Sequence, residues 1–331
     1  MPIVVITPEV LFQQQGPHIK MLREAGFEVR FPSRRGGLTE VAETIEAVRE
    51  AVATIAGSEP YTEPVLAALP NLRVISRWGV GVDCIDFDAV TRRGVAVAIT
   101  PGSNHEAVAE HTMALLLALT RSLARQNREI RQGIWTKVPL QPLRGRTVGL
   151  IGLGRIGQSV AVRAAQFRLR VIAYDPAPDL AFTQTHGIEL VDLDTLLSHA
   201  DYVSLHLPLS PSTNGLINRE TLSRMKPGSF LVNTARGGLV VEDDLLAALQ
   251  SGHLAGAGLD VFAQEPPSAA NPLLAMENVL VTSHMAGVDV QSSTDMAVQA
   301  AQSIIDLHQG RWPHHTVVNS SIRPGWQWRA S

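Results

Sequence analysis

Thr147–Asp175 reads TVGLIGLGRIGQSVAVRAAQFRLRVIAYD. Val148–Ile151 is a short apolar run, the mark of a parallel strand buried on both faces. Gly152, Gly154 and Gly157 follow at G-x-G-x-x-G spacing. In a strand-to-helix turn that holds a pyrophosphate each glycine has its own task. Gly152 permits the tight turn, Gly154 lets the backbone approach the phosphates, and Gly157 lets helix and strand pack closely. Ser159 to Phe167 continue as a helix whose N-terminus turns free N–H groups and a positive dipole end toward the anion. A second buried strand, Val171–Tyr174, ends at Asp175, 18 residues beyond Gly157, where a carboxylate meets the ribose hydroxyls of a dinucleotide. A glycine turn alone is weak evidence; strand, helix, strand and acid in this order point to a dinucleotide site. Asp175 repels a 2′-phosphate and Pro176-Ala177-Pro178 offers no arginine to bind one, so NAD is expected over NADP.

Outward from this stretch, composition narrows the class. A chain of 331 residues is long for one hydrophobic core and suggests two domains. Hydrophobic residues at 45% and charged residues at 18% describe an ordinary globular protein, not a disordered one. A net charge of −3 leaves no basic footprint for nucleic acid or a membrane surface. The single cysteine, Cys84, excludes an internal disulfide and a multi-cysteine metal site, and fits a reducing compartment. MPIVVITPEV at the N-terminus has no charged flank and no long apolar core, so it reads as a first strand and not as a signal peptide. The longest apolar run, Met113–Leu119, is too short to span a bilayer. The cytoplasm is the expected location, with no metal and no membrane or nucleic-acid partner.

Strand and helix patterns alternate along nearly the whole chain. Strands are expected at Ile3–Thr7, Phe27–Phe31, Ala51–Ala56, Val74–Arg77 and Ala96–Ile99, with helices between them. Pro101-Gly102 is a credible boundary, and Asn104–Leu123 reads as one long helix, apolar through its second half. Beyond Asp175 the alternation resumes through strands Tyr202–His206, Phe230–Asn233, Gly256–Asp260 and Val279–Thr282, closing with a helix over Asp289–His308. The expected architecture is α/β, with two doubly wound parallel-sheet (Rossmann-like or flavodoxin-like) domains and a cleft between them. Residues 1–100 with 290–331 make the substrate-binding domain and 101–289 the NAD-binding domain. Trp326 and Trp328 in the tail read as a strapped-down or mobile terminus before a partner contact.

Three residues near the ends of late strands suit carbonyl–alcohol redox: Arg236 in NTARGG, Glu265 in DVFAQEPP and His284 in TSHMAG. In doubly wound sheets those ends converge on the ligand crevice. An arginine grips a carboxylate bidentately and polarises the adjacent carbonyl. A histidine moves the proton that accompanies hydride transfer, and a glutamate beside it favours the imidazolium. Singly, each has a duller reading as a surface ion pair, a loop acid or a strand cap; their joint placement favours the catalytic one.

With these motifs in place, the chain resembles the D-2-hydroxyacid dehydrogenases, and most closely their phosphoglycerate dehydrogenase branch. The resemblance runs from RWGVGVDCIDFDA through PGSNHEAVAEHT, GLIGLGRIG, LHLPLSPSTNGLIN and VNTARGGLV to GLDVFAQEPP and the terminal VVN. It implies a catalytic triad of Arg236, Glu265 and His284. It implies cofactor contacts at Gly152, Gly154, Arg155, Ile156, Gly157, Asp175, His206, Pro208, Thr213, Thr234, Ala235, Asp260, Ala286 and Gly287. Substrate contacts fall on Arg77, Trp78, Gly79, Val80, Asn104 and Arg236. A homodimer built on the long helix is also implied, because the helix's apolar half exceeds what one domain's core needs.

Departures from the family pattern bear on the substrate. Ser283 stands where the family has proline before its histidine. Arg77 matches a phosphate-holding arginine, but Gly57-Ser58-Glu59 replaces the other, and Arg34-Arg35 reads as a solvated loop pair. The stretch to Ser331 shows no regulatory serine-binding domain, as in a short form of the enzyme. The expected activity is NAD-dependent interconversion of a D-2-hydroxyacid and its 2-oxoacid, with an anionic or polar tail on the substrate; hydroxypyruvate or glyoxylate reduction is the alternative. A dinucleotide-sensing corepressor scaffold shares the fold and the triad, but no nuclear signal points to it. Formate dehydrogenases place glutamine where Glu265 stands. Cys84 reads as a small buried residue, His105 and His111 lack the company of a metal site, and His314-His315 reads as a turn.

Overall fold

The computed structural model describes residues 1–33 and 35–328. In the first stretch, β1 (Ile3–Ile6), α1 (Pro17–Glu24), β2 (Glu28–Arg30), α2 (Val41–Val48), β3 (Ala53–Ala56), α3 (Glu63–Ala67), β4 (Val74–Arg77), α4 (Phe87–Arg92) and β5 (Ala96–Ala98) alternate as the sequence indicates. Strands β1 to β5 pair in parallel in the order β2-β1-β3-β4-β5. β3 and β4 are buried along their whole length, including the polar Thr54, Ser76 and Arg77, as befits inner strands of a parallel sheet covered on both faces.

The next stretch runs through α5 (His105–Thr120), α6 (Leu123–Arg131), β6 (Thr147–Ile151), α7 (Arg155–Gln166), β7 (Arg170–Tyr174), α8 (Leu180–His186), β8 (Glu189–Leu190), α9 (Leu193–His199), β9 (Tyr202–Leu205), α10 (Arg219–Arg224), β10 (Ser229–Asn233), α11 (Glu242–Gln250), β11 (Leu254–Leu259) and β12 (Val279–Val281). A final helix, α12 (Val290–His308), follows. Strands β6 to β12 form a parallel sheet of order β12-β11-β10-β9-β6-β7-β8. The strand order reverses between β6 and β9, the switch point at which open α/β sheets bind ligands.

By chain contacts the molecule divides into two compact units. One is Met1–Asn104 with the residues from Asp289 onward; the other is His105–Val288. In each, separate apolar clusters lie on the two faces of the sheet. Leu196, Leu205 and Leu231 belong to one face of the second unit, and Leu116, Val148 and Val160 to the other. In the first unit α12 packs against α1 over Ile19, Leu22 and Ile304. Helix starts follow their capping acids: Asp86, Asp179, Asp192 and Asp289 each accept a backbone N–H from the first turn, worth about 1 kcal/mol apiece. The tail is strapped down on the first unit. Val317 bridges antiparallel to Ala98, Trp326 donates its indole N–H to Gly94 O at 2.9 Å, and Trp328 packs edge-on to Phe27 and His308.

Two helix boundaries differ from expectation, and one short strand is not anticipated by the sequence pattern. The helix over Asn104–Leu123 stops at Thr120, because Ser122 turns left-handed (φ 48°) and α6 begins at Leu123. Its apolar residues Met113, Leu115, Leu116 and Leu119 are buried within the unit, and Leu115 and Leu119 lie on the bare backbone of Gly258. Ala114 is exposed and Leu117 and Ala118 are half-buried, so only part of the helix's apolar half goes into the core. The helix after the glycine turn starts at Arg155 and not at Ser159, with Gly154 as its N-cap, so Gly157 lies inside it. The two-residue edge strand β8, exposed on both residues, is too short to leave a pattern in the sequence.

Candidate active site

The glycine turn joins β6 to α7 at the switch point. Gly152 has φ +102°, and a Cβ there would lie 2.7 Å from the carbonyl carbon of His206. A Cβ on Gly157 would lie 2.2 Å from the carbonyl oxygen of Gly152, so only glycine lets the helix come this close. Around Gly154 nothing lies within 4 Å of a Cβ position, leaving open space beside the N-cap of α7, just ahead of Arg155 and Ile156. Asp175, at the end of β7, reaches back to this turn: Oδ2 accepts the Leu153 N–H at 2.6 Å and Oδ1 accepts the Ala177 N–H at 2.7 Å. This bracing role has no signature in the sequence beyond the position of the acid.

Beside the turn, His206 pairs its Nε2 with Ser204 Oγ at 2.9 Å. Its Nδ1 is buried with no partner, and burial pushes its pKa down to about 4. The ring is therefore neutral at ordinary pH. Pro208 O accepts the Thr213 hydroxyl at 2.7 Å, and Thr213 Oγ1 in turn accepts the Ser210 N–H at 2.8 Å, closing the 208–213 loop on itself. Thr234, at the end of β10, is buried against the Thr112 hydroxyl at 2.8 Å. Open backbone at Gly154, a helix N-terminus and an unsatisfied buried nitrogen nearby fit a dinucleotide.

Glu265 and His284 meet. His284 Nδ1 and Glu265 Oε2 are 2.6 Å apart, with both side chains partly open to solvent. Glu265 Oε1 accepts the Phe262 N–H at 3.0 Å. Burial acts to raise the Glu265 pKa, but the His284 hydrogen bond and charge, the Phe262 N–H and the Arg236 charge outweigh it, and the carboxyl is held below its ordinary value. With Nδ1 engaged, Nε2 is the His284 nitrogen left to face a substrate. Arg236 follows β10 in extended backbone, and its loop packs so tightly on that of Glu265 that a Cβ on Gly237 would overlap the Phe262 carbonyl. Asn233 orients this turn, accepting the Ala235 N–H at 3.0 Å and donating to Arg236 O at 2.8 Å. Glu242 anchors the loop of Glu265 by accepting from Ala263 N at 2.7 Å and from Asn271 Nδ2 at 2.8 Å. Neither Asn233 nor Glu242 stands out in the sequence, since each acts through backbone groups that only the folded loops bring near.

Asp260 has a different surrounding from that of a cofactor contact alone. Its carboxylate is fully buried and accepts from Thr282 Oγ1 (2.6 Å), Met285 N (2.9 Å) and Ala286 N (2.8 Å), while its carbonyl accepts the His284 N–H at 2.8 Å. Residues on both sides of His284, up to Ala286 just before Gly287, thus hang from one acid. His284 itself sits at φ +54°, a left-handed conformation that costs a non-glycine residue roughly 1–2 kcal/mol.

The remaining residues belong to the first unit. Gly79, at φ +138°, donates its N–H to Thr100 Oγ1 at 3.0 Å, and Trp78 Nε1 donates to Ser293 O at 3.0 Å. Val80 follows on the exposed side of the turn, and Asn104 closes the unit. Arg77 is buried, with Nε on Gly81 O at 2.8 Å and Nη1 on Ala56 O at 3.3 Å. It braces the turn that carries Gly79 and Val80. Glu59, also buried, takes hydrogen bonds from Thr7 and Tyr61 on Oε1. The Cys84 thiol, raised by burial, feels both the Arg77 and the Glu59 charge. Arg34 lies outside the described residues; Arg35 faces Glu9 across 3.6 Å on the surface. Among the described residues no group of three or more His, Cys, Asp or Glu side chains is placed to hold a metal, and no helix is long and apolar enough to cross a membrane.

Residues 113–286 match the model of the D-isomer specific 2-hydroxyacid dehydrogenase, NAD binding domain. Over 263 residues the chain is 45% identical to D-3-phosphoglycerate dehydrogenase of Mycobacterium leprae, a match covering 78% of this chain and 50% of that protein. Over 294 residues it is 39% identical to glyoxylate reductase of Korarchaeum cryptofilum, covering 86% of this chain and 88% of that one. A solved structure from Thermus thermophilus superposes with a TM-score of 0.86 at 38% identity, covering 96% of this chain and 100% of the other. The chain spans about half the length of the phosphoglycerate dehydrogenase it matches and most of the glyoxylate reductase.

Proposed function

The chain belongs to the D-isomer specific 2-hydroxyacid dehydrogenase family, and from that premise we propose that it reduces a small 2-oxoacid reversibly to the D-2-hydroxyacid. The observation that carries this reading is the 2.6 Å contact between His284 Nδ1 and Glu265 Oε2 beside the Arg236 loop. NAD is the cofactor of the matched domain; in its reduced form it supplies the hydride. The open turn at Gly154 and the Asp175 carboxylate would hold it, while Gly152 and Gly157 let strand and helix come close enough to form that turn. Arg236 grips the substrate carboxylate and polarises the neighbouring carbonyl. His284 delivers its Nε2 proton to the carbonyl oxygen while Glu265 steadies the charged ring. A substrate with no carbonyl oxygen to protonate has no use for such a pair.

The geometry of Arg77 favours an uncharged tail on the substrate over a phosphate. Two of its three nitrogens are already on backbone carbonyls, Gly81 O and Ala56 O. Glyoxylate and hydroxypyruvate fit this better than 3-phosphohydroxypyruvate. A second copy of this chain is the partner we propose. Leu123, Ile130, Ile134, Trp135 and Val138, all exposed, carry an apolar surface along α6 and the segment after it that a second copy would cover. The reducing environment that suits the lone Cys84 supports a cytoplasmic location.

The test is a panel of 2-oxoacids assayed with NADH. Glyoxylate or hydroxypyruvate is expected to reach a kcat/KM of at least about 10⁴ M⁻¹s⁻¹, and 3-phosphohydroxypyruvate to fall at least roughly tenfold below, about 1.4 kcal/mol. Absence of turnover with every member removes the enzyme reading. A preference for the phosphorylated substrate removes only the tail assignment.

A further inference from the structure

The support of the His284 loop does not stop at Asp260. His111 lies on α5, and its Nε2 is 3.0 Å from Thr282 Oγ1 and 3.7 Å from Asp260 Oδ1. The Thr282 hydroxyl has one hydrogen, and at 2.6 Å from a buried carboxylate oxygen that hydrogen goes to Asp260. The same hydroxyl oxygen must then accept from His111, so the hydrogen of the His111 ring sits on Nε2. Direction is fixed along the whole chain of donors: His111 N–H to Thr282 O–H to Asp260.

We infer that His111 is a positioning residue for His284, acting through Thr282 and Asp260. Thr282 lies two residues before His284, and Met285 and Ala286 directly after it. All three hang from the Asp260 carboxylate, and the His284 N–H hangs from the Asp260 carbonyl. Between these anchors His284 is held at φ +54°, an arrangement that persists only where its surroundings over-determine it. His111 supplies the one donor in this cage that comes from α5, outside the strand ends and the loop itself. With that donor gone, the Thr282 hydroxyl is free to rotate and the Asp260 carboxylate loses its shortest hydrogen bond. The loop then relaxes away from the geometry that pairs Nδ1 with Glu265. His105, six residues earlier on the same helix, faces another way and pairs with Glu106 at 3.2 Å, so the effect belongs to His111 alone.

The kinetic consequence rests on the 2-oxoacid reductase reading above; the structural one does not. His111→Leu removes the donor, and His111→Gln places an amide N–H where Nε2 stands. Hydrogen exchange of the 282–288 segment in the protein without ligand reads the amides of His284, Met285 and Ala286 directly. In His111→Leu exchange of that segment is expected to quicken at least roughly tenfold. Its kcat is expected to fall by roughly five- to fifty-fold through misplacement of His284, with KM for NADH within about twofold of wild type. His111→Gln is expected to restore both. A His111→Leu protein that exchanges at the wild-type rate overturns the inference, and so does a His111→Gln protein as impaired as His111→Leu. Should His111→Leu fail to fold, Thr282→Val cuts the same link, and wild-type exchange in that variant overturns the inference equally. If the wild-type protein turns over no 2-oxoacid, the functional reading falls while the exchange rates still decide the place of His111.

Discussion

Glu265 is pulled in opposite directions, and the balance decides what His284 can do. Burial alone would raise the carboxyl, but the His284 contact, the Phe262 N–H and the Arg236 charge lower it below the usual glutamate range. A depressed acid contributes stability that is fully present above its unfolded pKa, about 4.3, and is lost as pH falls through the lower folded value. Above pH 5 Glu265 is therefore a fixed anion beside His284. Glu265→Gln keeps the shape and the acceptor for Phe262 but deletes the charge that favours a protonated donor. The kcat for reduction in that variant is expected to fall roughly tenfold, with a pH profile that departs from wild type. Superimposable pH profiles would take Glu265 out of the proton step. His284→Ala should lose on the order of 10²–10⁴-fold in kcat while NADH still binds. The pairing of these residues is legible in the sequence because both follow strand ends in short polar motifs. The left-handed backbone of His284 and the anchoring of Arg77 are not, since they depend on carbonyls and N–H groups that any sequence carries.

Two glycines in one turn separate packing from binding. The glycine spacing predicts the helix α7 but sets its start four residues late, because glycine inside a first turn reads as loop when propensity alone is weighed. The packing explains why Gly157 is nonetheless there: a Cβ would sit 2.2 Å from the Gly152 carbonyl oxygen, where the obstacle is backbone with no room to yield. Gly157→Ala is expected to destabilise the fold by about 1–3 kcal/mol, read as a lower urea midpoint. Gly154→Ala meets no atom within 4 Å and keeps an ordinary φ of −70°. It should leave the midpoint alone and instead raise KM for NADH roughly tenfold or more, because the new methyl occupies the space proposed for the phosphates. Equal loss of stability in both variants would mean that the open space at Gly154 does not serve a ligand. Asp175 combines the two effects. Asp175→Ala should narrow a preference for NADH over NADPH of at least about tenfold, yet weaken both, since the Leu153 N–H loses its acceptor.

At the scale of the whole molecule, the alternation of strands and helices makes both parallel sheets legible, while the surroundings of the buried rings within them leave no trace in the sequence. Two buried histidines contribute to how the protein meets acid. His18 on α1 is buried with neither ring nitrogen partnered, and burial lowers its pKa; His206, in the other unit, is lowered to about 4. Both groups bind a proton more readily in the unfolded chain, so the unfolded state gains protons first as pH drops below about 6.5. Stability from these sites is fully present above that value and drains away toward the folded pKa, in contrast to Glu265, whose share is lost only below the glutamate range. For His206 the drop between pH 7 and pH 5 comes to about 2 kcal/mol. His206→Gln keeps an amide within reach of Ser204 Oγ but cannot titrate. Urea unfolding of this variant should therefore show a pH 7-to-5 loss smaller than wild type by about 2 kcal/mol, and His18→Leu should flatten the same interval further. If His206→Gln loses stability with acid as steeply as wild type, the neutral buried ring at the glycine turn is not what limits the protein there, and its unpartnered Nδ1 must already be accepting a hydrogen bond from bound solvent.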